Sequence, residues 1–488
     1  MARSTRGQGA GERTDEAVAT EVPSRHLPPV TYRDLPEPLP LRKVLGPGVV
    51  SVGIGLGSGE FIFWPYIASV SGLVFMWAAV VAVLTQFFIN MEVERWTLAT
   101  GETAITGFSR LWKPWGLIFI VCALVPNFFP GWATSAATAL SFATGGDPVV
   151  IAICALVAMG VALTLSPVIY QTLEKFEFLK VGAVSVFLIV VLFTAISADA
   201  YGDVGQAITG FGQIPAGLAP ALVLGAVTAA GAGGMHNLVQ SNWIRDKGYG
   251  MGAYIPHLVS PITGEDQAAP STGYLLRDDE RNRARWEGWW RVANIEQLVS
   301  FVAIAIVTIL IMSLLAHSTV GGQNVAEEPN LDFLQAEGEA IGQAVAPWFA
   351  TFFWVIGGLS LFGTALGILD YVGRIVGDVL KTGYMAESGR WTESRIYVTV
   401  VWILILGGSA ILLAGFEQPF LLLIVSQSIN GMVMFVYSIL LTRLNRVALP
   451  DGIKVKGFRL GAIVWACVFY GFFSAALLLA IATGAVGG

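Results

Sequence analysis

Two glycine-rich segments of the chain carry polar side chains inside otherwise apolar sequence. The first, residues 53–60 with the sequence GIGLGSGE, ends in Glu60. The second, residues 230–237 with the sequence AGAGGMHN, ends in His236 and Asn237. A carboxylate among backbone and amide oxygens is the ligand chemistry that hard cations such as Mg²⁺ prefer. A glycine-rich turn beside an imidazole instead offers N–H groups to a small anion. The residues leave both chemistries open.

The composition places these segments in a membrane protein. Of 488 residues, 55% are hydrophobic and 13% are charged, against about 25% charged in an ordinary soluble domain. So few charged residues cannot cover a soluble protein of this length. The net charge of −6 gives no basic surface for nucleic acid. We therefore predict an all-α integral membrane protein that has lipids as its surroundings and no nucleic-acid partner.

The apolar residues occur in runs that are long enough to cross a bilayer, which takes about 20 residues per helix. They predict eleven spans, numbered 1 to 11, at residues 45–69, 71–93, 115–141, 148–169, 177–198, 217–243, 290–316, 347–373, 395–416, 418–441 and 458–483. Residues 1–38 are polar and proline-rich and have no signal-peptide apolar region, so they predict a disordered cytoplasmic tail. Residues 39–488 are predicted to form one transmembrane domain.

The basic residues predict the orientation in the membrane. All 28 Lys and Arg residues fall in the tail or in five segments on one side, at 94–114, 170–180, 244–291, 374–395 and 442–459; the predicted loop 244–289 is the longest loop on this side. The opposite loop at 317–346 is acidic. Because cytoplasmic loops are enriched in Lys and Arg, we expect a cytoplasmic amino terminus, an outside carboxyl terminus and a location in the cell's plasma membrane.

The two glycine-rich segments lie in spans 1 and 6, which begin two groups of five spans at about 45–198 and 217–441. Glycine weakens a helix by about 1 kcal/mol per residue relative to alanine. Irregular backbone at membrane depth is tolerated only where it is buried in protein or lines a cavity. Interruptions at matching places in two halves indicate an inverted-repeat transporter that binds substrate near the midplane. Close helix packing is the alternative explanation for the glycines.

Several motifs resemble the Nramp family of divalent-metal transporters. They are LGPG at 45–48, Gln86 with WTLATG at 96–101, FSR at 108–110, HNL at 236–238, Ile295-Glu296, Ser360 with GTALG at 363–367, and Ser426-Gln427. The resemblance extends over roughly residues 40–445. It implies a five-plus-five inverted repeat of the LeuT type, in which helices 1 and 6 are broken and the ion binds between them. Span 11 is then an addition to the repeat.

The sequence departs from the Nramp pattern at the residues that carry its chemistry. The family's Asp-Pro-Gly-Asn corresponds to GSGE at 57–60, and its Met-Pro-His corresponds to GMH at 234–236. By the same resemblance, the family's acidic pair in span 3 corresponds to Asn127 and Pro130, which cannot carry a proton. Loss of the Asp and of the soft thioether disfavours Mn²⁺ and Fe²⁺ and favours a harder cation.

We therefore expect a secondary transporter that moves a small inorganic ion, a hard cation such as Mg²⁺, by alternating access. The predicted substrate-binding residues are Gly57, Ser58, Glu60, Gly234, His236, Asn237 and Gln427. Glu60 is the predicted metal ligand. Glu60 and His236 are candidates for coupling transport to H⁺ or Na⁺. No cofactor is predicted.

Other functions stay open at this point. A small anion or carboxylate, for example bicarbonate, is the alternative cargo at the glycine-rich break of span 6. A non-transporting membrane sensor is a further alternative, and so is a membrane enzyme. Against an enzyme, the four histidines form no HExxH or Cys/His cluster, and no GxSxG motif is present. We expect no enzymatic activity.

Two further groups of charged residues near span ends have structural interpretations. Asp370 and Arg374 lie four residues apart in span 8, so we predict that they pair at the membrane interface. Glu296, at the start of span 7, is predicted to snorkel or to cap a helix.

Overall fold

The computed structural model describes residues 17–263, 272–322, 330–415 and 419–484. In this part of the chain, nine helices are long and apolar enough to cross a membrane. Spans 1 and 6 are each assembled from shorter helices. The predicted all-α membrane architecture with eleven spans is confirmed.

The continuous spans keep the order that the sequence predicts. They are Met76–Thr100 (span 2), Trp115–Thr144 (span 3, interrupted at 128–130), Pro148–Leu165 (span 4), Ile169–Thr194 (span 5), Glu280–Val320 (span 7), Pro347–Gly383 (span 8), Glu393–Leu413 (span 9), Pro419–Val447 (span 10) and Gly457–Thr483 (span 11). Short helices connect them at Leu41–Val44, Ala104–Leu111, Ala198–Asp203, Gln206–Thr209, Gly250–Tyr254 and Asp332–Ala344. We call the end of the bundle that carries the Lys- and Arg-rich loops the basic end.

Span 1 is broken inside its glycine-rich segment. Its first half, Pro47–Gly55, stops at Leu56, whose ψ of 66° leaves the helical region. The chain resumes as a five-residue π-helix, Gly59–Phe63, which continues directly into Trp64–Ser71.

Span 6 is broken in the corresponding place of the second half. Its first half, Pro220–Ala229, and its second half, Met235–Asp246, are separated by residues 230–234. Gly231 and Gly234 have φ values of 90° and 77°, a region that residues with a Cβ rarely adopt. Both predicted broken helices are confirmed, and the physical cause is the glycine content.

Several spans run further toward the basic end than predicted. Span 2 continues to Thr100 instead of ending at 93, and span 5 begins at Ile169 instead of 177. Charged residues do not stop these helices because they are paired inside the protein, as Glu92 and Arg95 are at 2.7 Å. Lys180 and Arg374, which were counted as loop residues, therefore lie within spans.

The structure differs from the predicted disordered tail over residues 17–38. Thr31–Arg33 forms a parallel pair with Tyr274–Leu276 from the loop before span 7. Val30 and Leu35 are fully buried, and Trp289 Nε1 donates to the carbonyl of Pro36 at 2.9 Å. A composition that is too polar for a core of its own is here ordered against neighbouring loops. Residues 1–16 lie outside the described part.

Candidate functional site

The breaks of spans 1 and 6 face each other, backbone against backbone. A Cβ on Gly55 would lie 1.8 Å from the carbonyl oxygen of Gly231, and a Cβ on Gly59 would lie 2.0 Å from that of Ala229. Atoms cannot approach so closely, so only glycine allows the two broken helices to touch here. The glycines thus have two effects: they interrupt the two helices, and they allow the interrupted segments to touch.

Span 8 supplies partners for the backbone that the break of span 1 sets free. Thr364 Oγ1 donates to the carbonyl of Ile54 at 2.6 Å, and the Ser360 hydroxyl donates to the carbonyl of Leu56. These carbonyls would otherwise be unpaired at membrane depth, which costs several kcal/mol each. The break of span 1 is therefore stabilised by side chains of span 8.

Side chains of spans 2 and 10 form hydrogen bonds with the backbone groups at the break of span 6. Gln86 Nε2 donates to the carbonyl of Thr228 at 3.0 Å, and Gln86 Oε1 accepts from the N–H of Ala232 at 3.1 Å. The Tyr437 hydroxyl donates to the carbonyl of Gly234 at 3.0 Å. Gln86 thereby spans the break and fixes its width.

Glu60 is the charged side chain at this junction. It is fully buried, and its carboxylate lies beside the backbone amides of Gly57 and Gly231. Neither carboxylate oxygen has a hydrogen-bond partner among the described residues. A buried, unpaired carboxylate is strongly disfavoured in its charged form. A proton or a bound cation would remove that penalty.

His236 is the second residue of the second half of span 6, close behind the break. Its ring packs edge-on against Tyr371 of span 8, with centroids 4.6 Å apart. Its Nε2 atom is buried and has no partner in the described part of the chain. The imidazole is thus held by packing on one side and leaves one nitrogen for a proton or a ligand.

The remaining predicted binding residues have different surroundings. Asn237 is committed to the protein, because it donates to Asn90 at 2.6 Å and accepts from Tyr437 at 2.8 Å. Gln427 lies against Gly225 in the first half of span 6, and its Oε1 has no partner among the described residues. Ser58, at 4% exposure, is buried inside the break.

The two predicted glycines line the breaks through their backbone. A Cβ on Gly57 would lie 2.0 Å from Thr364 Oγ1, and one on Gly234 would lie 2.5 Å from Asn430 Cγ. Span 1 is therefore packed on span 8 at Gly57, and span 6 is packed on span 10 at Gly234. Any side chain at either position would displace these contacts.

The sequence interpretation missed one charged pair in this region. Glu177 and Lys180 of span 5 are buried, and Lys180 Nζ lies 2.8 Å from Glu177 Oε2. The predicted start of span 5 at 177 hid the pair, because it put both residues at the membrane surface. Opposite charges three residues apart in helical register were the available signal.

Asp370 and Arg374 pair as predicted, at 2.7 Å, but both are fully buried and not interfacial. They belong to a larger group that joins spans 6, 8 and 9, here called the basic-end network: Arg245, Asp246, Asp370, Arg374, Asp378 and Glu393. Arg374 Nη1 contacts Asp246 at 2.5 Å, and Arg245 Nη1 contacts Asp378 at 2.8 Å. Span 8 continues past these residues to Gly383, so the pair lies inside a long helix and is covered by protein.

Glu296 acts as a cap. Its carboxylate accepts from the backbone N–H of Gly48 at 2.9 Å. This places a negative charge at the amino terminus of the first half of span 1, where the helix dipole favours it. The short half-helix is thereby attached to span 7 at the basic end.

Structural comparisons identify the fold. A crystal structure of the Eremococcus coleocola manganese transporter, in complex with an aromatic bis-isothiourea substituted compound, has a TM-score of 0.63 and 13% identity over 95% of this chain and 96% of that chain. A mutant of that transporter has a TM-score of 0.63 and 13% identity over 94% of this chain and 95% of that chain. The nucleobase-cation-symport-1 family transporter Mhp1, in a closed conformation with bromovinylhydantoin bound, has a TM-score of 0.50 and 13% identity over 91% of this chain and 95% of that chain.

These neighbours confirm the predicted LeuT-type fold. At 13% identity the likeness is one of fold alone. No protein-family model and no curated protein matches the chain.

Proposed function

We propose that this protein is a secondary transporter, a divergent relative of the Nramp family, that moves a small inorganic cation through the junction of spans 1 and 6. One observation carries the proposal: Glu60 is fully buried at the two breaks, and both of its carboxylate oxygens lack a partner in the described structure. A transported cation would complete this site. Two structures of similar fold belong to a manganese transporter and to a nucleobase-cation-symport-1 family transporter.

The closed geometry fits one step of alternating access. Glu60 is 0% exposed, Ser58 4% and His236 5%, so the junction is sealed from both ends. Opening requires the half-helices of spans 1 and 6 to move against span 8, and the non-helical residues at each break allow such a movement. We propose that the basic end faces the cytoplasm and that the protein lies in the plasma membrane, because Lys and Arg concentrate there.

A hard cation such as Mg²⁺ is the proposed cargo. The junction offers a single carboxylate, and no group of three or more His, Cys, Asp or Glu side chains in the described residues is placed to hold a metal. Mg²⁺ keeps several of its waters and is bound by one or two carboxylates. The junction has Gly57 and Gly234 where the Nramp pattern has the Asp and the Met thioether, so we do not propose a Mn²⁺ or Fe²⁺ site of that family's type. H⁺ or Na⁺ is the proposed coupling ion, with Glu60 and His236 as the residues that respond to it.

Uptake into proteoliposomes tests the proposal. We expect uptake from a panel of Mg²⁺, Mn²⁺, Na⁺, bicarbonate and small carboxylates to be selective for Mg²⁺. Glu60→Gln should reduce that uptake at least about tenfold, as loss of a metal-site contact does. Glu337→Gln is the matched control, because Glu337 is also fully buried with unpartnered oxygens but lies in the connecting helix Asp332–Ala344.

An anion carrier makes the opposite prediction. It would retain or gain activity in Glu60→Gln, because a negative side chain would be removed from the site. The structure speaks against this alternative, since two N–H groups of the span 6 break are already used: that of Ala232 by Gln86 and that of Met235 by Asn430. Binding of an ion without any uptake would instead indicate a sensor.

A further inference from the structure

A groove lies between spans 10 and 11 on the outer surface of the bundle, at its basic end. Its volume is about 530 Å³, and residues from the second half of span 10 and the first half of span 11 line it. The apolar side chains of its walls are exposed: Ile439 at 47%, Val447 at 58% and Val464 at 46%. Exposed apolar surface of this kind is where a membrane protein contacts lipid. The groove therefore opens toward the lipid.

Two arginines of span 10 also line this groove. Arg443 and Arg446 are three residues apart and so lie on the same face of the helix. Span 10 ends at Val447, and at about 1.5 Å per residue Arg443 lies only about 6 Å before that end. Both side chains are exposed. The two guanidinium groups therefore lie where lipid headgroups meet the protein.

These two arginines lack a counter-charge in the described part of the chain. Neither belongs to an ion pair there, and none of the described residues that line the groove is acidic. By contrast, Arg95 in span 2 is paired with Glu92 at 2.7 Å. The groove thus has two positive charges that the protein itself leaves without an ion pair.

A second groove on span 11 shows what the arginines add. It lies between span 11 and span 2, has a volume of about 450 Å³ and is lined by residues such as Leu84, Phe88 and Trp465. None of the described residues that line it is charged. Acyl chains alone are sufficient partners for such a surface. The groove at spans 10 and 11 has similar apolar walls but adds two positive charges at headgroup level, so the charge of the headgroup matters there.

We propose that the groove between spans 10 and 11 binds one anionic phospholipid. Its phosphate is held by Arg443 and Arg446, and its acyl chains lie along Ile439 and Val464. A guanidinium group matches phosphate oxygens with two parallel hydrogen bonds, and basic pockets between membrane helices bind anionic headgroups. Phosphatidylcholine has a phosphate too, but its own ammonium group cancels that charge. The site therefore prefers a lipid such as phosphatidylglycerol, whatever the cargo of the protein is.

Native mass spectrometry of the purified full-length protein in detergent tests this preference, with dioleoylphosphatidylglycerol and dioleoylphosphatidylcholine as the probes. A basic residue near an anionic lipid surface contributes about fivefold in affinity. We therefore expect Arg443→Gln/Arg446→Gln to bind the first phosphatidylglycerol about 25-fold more weakly than the native protein, with phosphatidylcholine binding unchanged. Arg281→Gln/Arg291→Gln is the matched control, because it removes two exposed arginines at the same end of the bundle. It should bind both lipids as the native protein does.

Two further comparisons separate a lipid groove from a general attraction of anions. Val464→Trp fills the groove without changing its charge and should also weaken phosphatidylglycerol binding, whereas Leu84→Trp fills the second groove and should not. Both positions are exposed, at 46% and 40%, so the fold should tolerate the larger side chains. Inorganic phosphate shares the chemistry of the headgroup but has no acyl chain, and at millimolar concentration it should not displace the lipid.

Four outcomes would each overturn the proposal. They are native affinity for phosphatidylglycerol in Arg443→Gln/Arg446→Gln, an equal loss in the Arg281→Gln/Arg291→Gln control, native affinity in Val464→Trp, and displacement of the lipid by inorganic phosphate. None of these measurements depends on transport, so they are independent of the result of the uptake experiment.

Discussion

Buried acids are treated differently at the middle of the bundle and at its basic end. At the junction of the two breaks, Glu60 is fully buried and has no hydrogen-bond partner in the described structure. In the basic-end network, Asp370 and Asp378 are equally buried, but each is paired with an arginine at 2.7–2.8 Å. The network thus contains arginines that pair with its buried acids, whereas no cationic side chain in the described structure forms an ion pair with Glu60 at the junction.

The Glu177–Lys180 pair lies between these two cases. It is a single acid with a single cation, next to the break of span 1 but separate from it. The three regions therefore form a series: among the described residues, the protein provides two arginines for the four acids of the basic-end network, one lysine for Glu177, and no paired cation for Glu60. Structural demands explain the first, and the last is where a transported ion has a reason to bind. The predictions below test this series through stability, from the largest expected change to the smallest.

The largest effect is expected for Arg374→Met in the basic-end network. Removing this guanidinium leaves Asp370 buried without a charge partner and Asp246 with only Arg245, at 3.6 Å, and breaking a buried pair typically costs about 3–5 kcal/mol of stability. The free energy of unfolding, or the melting temperature in detergent, measures the loss. Arg283→Met is the control: the Arg283–Asp278 pair is 55% and 31% exposed, so its loss should cost about 0–1 kcal/mol. Equal losses in both variants would mean that the network is not what holds spans 6, 8 and 9 together.

The second-largest loss of stability is expected for Gly55→Ala, because this substitution disrupts the contact between the two breaks. The new Cβ would meet the Gly231 carbonyl at 1.8 Å, and overpacking of this kind typically costs about 1–3 kcal/mol. Uptake of the cargo should fall as well, since the junction is forced apart. Gly182→Ala is the matched control in span 5, where a Cβ would meet nothing within 4 Å; it should stabilise the helix by about 0.5–1 kcal/mol. If Gly55→Ala left both stability and uptake unchanged, the two breaks would not be in contact.

These two cases also show what could be predicted from the sequence. The eleven spans and the two breaks followed from local properties, namely the length of apolar runs and the glycine density at 53–59 and 231–234. A break is visible because glycine destabilises a helix wherever it occurs. The approach of Gly55 to Gly231 and the cap that Glu296 places on Gly48 require the tertiary structure.

The errors have one physical cause. Charged residues are predicted from the sequence to lie at helix ends or at the surface, but Arg95, Lys180 and Arg374 lie inside spans because acidic residues three or four positions away in the same helix pair with them. The tail was likewise judged by its own composition, although its strand Thr31–Arg33 is completed by Tyr274–Leu276, more than 200 residues away. The ion pairs could have been read from local spacing, whereas a single sequence does not show which distant segment pairs with the tail.

A smaller effect is expected for Arg33→Ala, which concerns a cation balanced by aromatic rings instead of a carboxylate. The Arg33 guanidinium lies 3.7 Å from the ring centroid of Tyr254 and 4.9 Å from that of Tyr274. Such contacts contribute about 0.5–2 kcal/mol, and here they hold residues 31–33 to the basic end. Limited proteolysis should cut the segment 17–38 faster in this variant. Arg25→Ala, at an exposed position of the same segment, should leave the cutting rate unchanged.

The smallest change in stability is expected for Glu60→Gln, and it is the sharpest test of the series. The substitution keeps the shape of the side chain and removes a charge that has no partner to lose, so the free energy of unfolding should stay within about 0.5 kcal/mol of native or rise. Glu102→Gln is the matched comparison: Glu102 is as buried as Glu60 but is bound to Arg110 at 2.5 Å, and its loss should cost about 3–5 kcal/mol. If Glu60→Gln destabilised the protein as much as Glu102→Gln, the Glu60 carboxylate would have a structural partner. The junction would then need no cation from outside, and the case for cation transport would fail.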